Sequence, residues 1–240
     1  MSKMLLHCGG RNVSFDELAA VPLPEQTETY TPVAFQDIVT NAKQIADDLL
    51  KDYSYVDSNY ALAGKDQRMF AIHTYRGKNK EIGHSIGVRS SYDKSMSNGI
   101  CSGAKIFVCD NLIFRGEITY MRKHTKNVIQ DLEDKLVSVI YNSTAKFQNI
   151  IRDRVAMTNV DITNDQAYEF LGKMAGYKVL KSQQFNTALR CWEKPPYEEF
   201  VPKNVWSLYN ACTEALKSTP PNKIIEKHIM LHDYVNKAIA

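Results

Sequence analysis

"YSYVDSNYALAGKDQRMFAIHTYRGKNKEIGHSIGVRSS", residues 53–91, alternates where the sequence around it repeats every three or four residues. Met69, Ala71, His73 and Tyr75 interleave with Phe70, Ile72 and Thr74, the two-residue period of a strand with unlike faces. The breaks "AGKDQ" and "RGKNKE" are turn-like and too short for a crossover, so the strands they join run antiparallel. A meander of two or three strands follows.

Upstream, "FQDIVTNAKQIADDLL" sets Phe35, Ile38, Val39, Ala42, Ile45, Ala46, Leu49 and Leu50 at helical spacing. Before that helix, "VPLPEQTETYTP" carries three prolines and reads as part of an extended arm over residues 1–32. Downstream, the unbroken apolar run "AKIFVCDNLIF" predicts one more strand, covered on both faces. The spacing of Val128, Ile129, Leu132, Leu136, Val139, Ile140, Phe147 and Ile151 predicts a single long helix over residues 125–151. Thr163 and Gln166 form a capping-box pattern with Gly176 as the stop, and further helices fit residues 184–192, 203–217 and 222–239, separated by "KPP" and "TPP". The fold class is therefore α+β: an antiparallel strand meander packed on two long helices, followed by a helical C-terminal region. The organisation reads as an arm (1–32), an α+β core (33–155) and a helical region packed on the core (156–240). One sheet face is expected to remain available.

Composition excludes several classes. At 44% hydrophobic and 24% charged residues, the chain has the balance of a globular protein and no run near the length of a spanning helix, so no membrane partner is expected and the location is expected to be cytoplasmic. Cys8, Cys101, Cys109, Cys191 and Cys212 are odd in number and lack CxxC spacing, which predicts reduced, mostly buried thiols and neither a disulfide framework nor a zinc site. Charge is uneven along the chain. Residues 1–75 hold six Lys and Arg against ten Asp and Glu, residues 76–154 hold fourteen against eight, and the remainder ten against nine. A basic middle beside an acidic first third points to an anionic partner or to contact between copies.

Glycines 83, 87, 99 and 103 flank the polar run Arg89, Ser90, Ser91, Tyr92, Asp93, Lys94, Ser95, Ser97 and Asn98. Such a stretch is either a twisted hairpin with bulges or a ligand-gripping turn. In the second reading, Arg89 clamps a small phosphorylated ligand, Asp93 serves as base, and Ser91, Ser95, Asn98 and Asn111 complete the polar motif. No Walker, GxGxxG, HExxH or GxSxG pattern is present, so no cofactor is implied and a catalytic role is unspecified. His73 and His84 read as hydrogen-bonded strand histidines, and His228 and His232 as a solvated pair. A third reading uses "YRGKNK" and "RGEITYMRKHTK": Arg76, Lys78, Lys80, Arg89, Lys94, Arg115, Arg122, Lys123 and Lys126 hold phosphates while Tyr75 or Tyr120 stacks on bases.

"IGVRSSYDKSMSNGICSGAKIFVCDNLIF", "RKHT", "WSLYNACTEALKSTPP" and the early "LLHCGGRNVSFDELAAVPLPEQTETYTPV" resemble the phage/plasmid-like protein family, a prokaryotic domain of unknown function found on phages, plasmids and integrating elements. Nearly the whole chain is covered. The family's polar cluster maps onto Arg89, Ser91, Asp93, Ser95, Cys109 and Asn111; members often carry His where Tyr92 stands and Gly where Lys94 stands. The resemblance implies proximity to replication and recombination functions. The outline also looks similar to single-strand annealing proteins of the Red-beta and RecT type, which implies a homo-oligomer lining a DNA groove. The expectation is a nonenzymatic protein that binds single-stranded nucleic acid; the alternatives are the ligand-binding turn and an interaction protein that antagonises host defence.

Overall fold

The computed structural model describes residues 10–78, 80–114, 119–120, 128–220 and 223–239. The alternating stretch forms three strands, β2 (Ser54–Ala63), β3 (Arg68–Arg76) and β4 (Ile82–Ser91). They continue into β5 (Gly99–Ile106) and β6 (Asn111–Phe114), while β1 (Gly10–Val13) lies against β2 and the two-residue β7 (Thr119–Tyr120) against β5. All pairs are antiparallel, with spatial order β1-β2-β3-β4-β5-β6. The β2–β3 turn places Gly64, Lys65 and Asp66 at φ 61°, 56° and 64°, so three successive left-handed residues reverse the chain.

The sheet is buried on both faces. Met69, Ala71, Tyr75, Ile86, Val88 and Ile100 pack against α2 (Phe35–Leu49) and α3 (Val128–Tyr141), through the Phe35, Ile38, Val39, Ala42 and Ala46 stripe and through Leu132, Leu136 and Ile140. On the other face Phe70, Ile72, Cys101, Leu112 and Phe114 meet Ile224 and Ile225 of α8 (Ile224–Ile239). The expectation of an available second face is thus corrected. All ten residues of β4 are buried, which fits a central strand with cover on each side.

The remaining helices are α1 (Phe15–Ala19), α4 (Ser143–Thr158), α5 (Asn164–Gly176), α6 (Ser182–Glu193) and α7 (Val205–Leu216), with a 3₁₀ turn at Glu198–Phe200. Eleven of the twelve α7 residues are buried. That helix joins Trp192, Met174 and Phe147 of its neighbours to Ile82, Ala104, Ile106 and Ile113 of the sheet in one apolar cluster, so the late helices share a core with the meander.

Three sequence expectations change. The arm holds β1 and α1, the latter closed by a reciprocal Ser14–Glu17 capping box, before an irregular stretch leads to α2. The apolar run "AKIFVCDNLIF" is a hairpin whose turn residue Asp110 sits at φ 55°. The long helix is interrupted at Asn142, where the Ser143 hydroxyl donates to the Ile140 carbonyl at 2.6 Å and competes with the helical ladder.

Two glycines answer a packing demand. A Cβ on Gly103 would lie 2.4 Å from the Ile113 carbonyl oxygen and 2.5 Å from the Phe114 ring; one on Gly83 would lie 2.6 Å from the Phe107 ring. Aromatic rings occupy the space that side chains would need. Among the described residues no helix is long and apolar enough to cross a membrane.

Candidate nucleic-acid interface

The meander separates the basic residues it carries. Arg76, Lys78 and Lys80 are exposed at the β3–β4 turn, with Arg76 4.2 Å over the Phe107 ring. Lys94 lies past the opposite end of β4, 4.4 Å over the Tyr30 ring and at φ 58°. A strand of ten residues spans about 33 Å, so these two groups occupy opposite ends of the sheet. Two proposed contacts are corrected by burial. Arg89 is 3% exposed and donates to Glu226 of α8 at 2.8 Å; Tyr75 is 1% exposed and its hydroxyl donates to Asp47 at 2.8 Å. Arg115, Arg122, Lys123 and Lys126 lie outside the described residues, and for Tyr120 only the backbone pairing with Gly99 is described.

The polar motif is largely internal. The Ser90 hydroxyl donates to the Asn98 side-chain amide oxygen Oδ1 at 2.6 Å, and the Ser91 hydroxyl bridges the Met96 backbone, donating to its carbonyl at 2.9 Å and accepting from its N–H at 3.1 Å. Asn111 donates to the Asn210 side chain at 3.2 Å and so ties β6 to α7. Asp93 accepts from Arg68 at 2.7 Å and from the Ser95 N–H at 3.0 Å. The turn is a stapled hairpin, and the anion clamp assigned to Arg89 is closed by Glu226 and by the sheet. Cys109 is buried, and burial pushes its thiol up to about 12, which removes it as a nucleophile near neutral pH.

Histidines follow the same pattern. Burial lowers His73 to about 4 and both His84 and His228 to about 3, so all three are neutral imidazoles at neutral pH. His84 stacks on Phe147 at 4.8 Å. The solvated reading of His228 and His232 is corrected: both are buried, with His232 held between Asp153 at 2.9 Å and the Tyr209 hydroxyl at 3.3 Å. Cys101 and Cys212 are buried as expected and Cys191 is half-buried.

A second basic group is assembled by the helices. At the end of α5 the chain turns through Lys178 at φ 58°, while the Val179 and Leu180 N–H groups donate back to the Met174 carbonyl. This turn sets exposed Lys178 and Lys181 beside the start of α8, where the Lys227 ammonium donates to the Lys178 carbonyl across 49 positions. Burial, and after it the like charges of Lys223 and Lys181, pushes Lys227 below the ordinary lysine range. Among the described residues none of Lys178, Lys181, Lys223 and Lys227 forms an ion pair; the nearby Glu226 is turned inward to Arg89. Four cations therefore share one surface.

The stripe continues along α8. At about 100° per residue, positions 223, 227, 230, 234 and 237 fall within an arc of roughly 80°, and they run for about 21 Å. Tyr234 on this stripe stacks on Tyr177 at 4.9 Å with the rings 9° from parallel, and Tyr177 is 52% exposed. Under the pair lies a cavity of about 590 Å³ between α5, α7 and α8, with Ile162, Phe170, Met174, Leu208 and Val235 among its walls and Lys173 and Lys237 also lining it.

A family model described as a domain of unknown function, DUF932, matches residues 22–232. The chain belongs to that family. The DUF932 span takes in β2 to β6, the helices over both sheet faces and the four clustered lysines with Tyr177; Tyr234 and Lys237 lie just beyond it. Comparisons with curated proteins and with solved structures found no match.

Sequence reasoning missed this cluster. Lys178 with Lys181 and Lys223 with Lys227 are visible as close pairs, but their meeting depends on how α5, α6 and α8 pack, and the regional count of ten cations against nine anions conceals it.

Proposed function

We propose that the chain is a nonenzymatic single-stranded nucleic-acid-binding protein of a phage or other mobile element, cytoplasmic, and active in recombination or replication. The carrying observation is the unpaired cluster Lys178, Lys181, Lys223 and Lys227 running into the Tyr177–Tyr234 stack. Phosphates gain from ammonium groups that no carboxylate neutralises, and bases gain from an exposed ring face, so the two features together suit a single strand better than a duplex. The start of α8 adds the positive end of its dipole beside Lys223. Exposed Asp48 and Asp52, at the far end of α2, offer a complementary patch through which copies could line up head to tail along the strand.

A fluorescence anisotropy titration with a labelled oligonucleotide tests the reading. Binding is expected to weaken linearly on a log–log salt plot, and changing the four lysines to alanine should reduce that slope by about 3, at roughly 0.7 for each lost phosphate contact. Flat titrations at low salt reject it. Native mass spectrometry with and without the oligonucleotide reports on assembly.

A further inference from the structure

We propose that the cavity of about 590 Å³ beneath the tyrosine pair is a seat for one unstacked nucleobase of a bound single strand, an inference that rests on the strand-binding reading above. Its volume falls within the roughly 300–1,000 Å³ range of small-ligand pockets. The walls are mostly apolar, with Phe170 from α5, Leu208 from α7 and Val235 from α8 offering a surface that a planar ring covers well, and Asp161, Gln166, Glu169, Lys173 and Lys237 make up the polar part of the lining. Polar groups converge from only a few directions. Gln166 is committed to the Thr163 cap and Lys173 to Glu169 at 2.6 Å, whereas Lys237 forms no ion pair among the described residues.

Position argues for a base over an acyl chain. The cavity adjoins the lysine stripe, so a backbone following Lys223 and Lys227 along α8 arrives at the cavity lined by Lys237 with its phosphates neutralised on the way. Tyr177 stands there with its outer face in solvent and its inner face on Tyr234. One base stacks on that outer face while its neighbour turns into the cavity. An acyl chain would gain from the walls but has no planar ring to extend the Tyr177–Tyr234 stack.

The test compares the full-length protein on two labelled strands of equal length, one of oligothymidine with a central 2-aminopurine and one wholly abasic. The base-bearing strand is expected to bind about tenfold more tightly, with a change in 2-aminopurine fluorescence on binding. Ala238→Trp, which sets a ring into the cavity and leaves the Tyr177–Tyr234 stack untouched, should erase most of the 2-aminopurine change and of that preference while the abasic affinity stays in place. Equal affinity of the wild-type protein for the two strands overturns the base seat and the stacking on Tyr177 with it, and leaves only the lysine-held contact with phosphates standing. Failure to bind either strand overturns both. If Ala238→Trp leaves the 2-aminopurine change and the preference intact, no base enters the cavity and the proposed seat is wrong.

Discussion

The sheet and the helical half both hold basic residues, and they use them in opposite ways. In the meander the cations are numerous in sequence, but Arg89 is sealed against Glu226, Lys105 lies 3.3 Å from both Asp57 and Asp110, and Arg76 and Lys94 cover aromatic rings at opposite ends. In the helical half the net count is close to balanced, yet several carboxylates are engaged away from the lysine cluster: Glu214 holds Lys217 at 2.7 Å, Glu193 accepts from Tyr168, and Glu226 faces the sheet. A local field depends on which charges are left over after packing, and regional totals do not report it.

The sharpest break of this comparison is charge reversal. Replacing Lys178, Lys181, Lys223 and Lys227 with glutamate should lower affinity for single-stranded DNA by about 100-fold or more at low salt, whereas the same change at Lys78, Lys80 and Lys94 should cost only a few-fold; anisotropy titration separates them. A larger loss from the second set would restore the sheet as the binding surface.

Next is the sealed pair. Arg89→Met should destabilise the protein by about 2 kcal/mol in urea melts, because it strands a partly buried carboxylate at Glu226, and the double change with Glu226→Gln should recover most of that loss. Full additivity of the two changes would deny that they act as a pair.

Acid separates the regions further. His73, His84 and His228 have folded values depressed below the ordinary histidine range, so the unfolded chain takes up protons first as pH falls below about 6.5, and stability declines from there toward pH 4 while staying flat above 7. Each buried imidazole contributes about 1.4 kcal/mol per pH unit within that window. His84→Phe, which keeps a ring against Phe147, should lower the slope by one such share in melts at pH 5 and 7. Oligonucleotide affinity per folded molecule should not follow the same curve, since the three buried imidazoles are not among the groups proposed to hold phosphate.

The smallest expected effect is also the most discriminating. Lys178 holds a left-handed backbone that glycine adopts freely, so Lys178→Gly should raise stability by about 1 kcal/mol and yet weaken strand binding several-fold. A variant improved in stability and unchanged in binding would remove Lys178 from the interface.

Local chemistry made much of the fold legible. The capping box at Thr163 and Gln166, the α2 stripe and the alternation through β3 each depend on residues a few positions apart, and each lies where the pattern puts it. The misses are of another kind. The β5–β6 turn hides in an apolar run because Phe107, Val108 and Cys109 carry none of the usual turn residues and Asp110 alone bends the chain. Cover of the second face by α8, burial of Arg89 and the gathering of the lysines all depend on contacts between distant segments, which periodicity does not encode.

One such contact bears on how the protein is made. The face formed by Phe70, Ile72 and Phe114 leaves the ribosome long before Ile224 and Ile225, its eventual cover. Throughout that interval a nascent chain holds a greasy sheet open to the cell, so newly made protein should lean on a holding chaperone, and a stop codon before α8 should yield aggregates in place of a smaller soluble product.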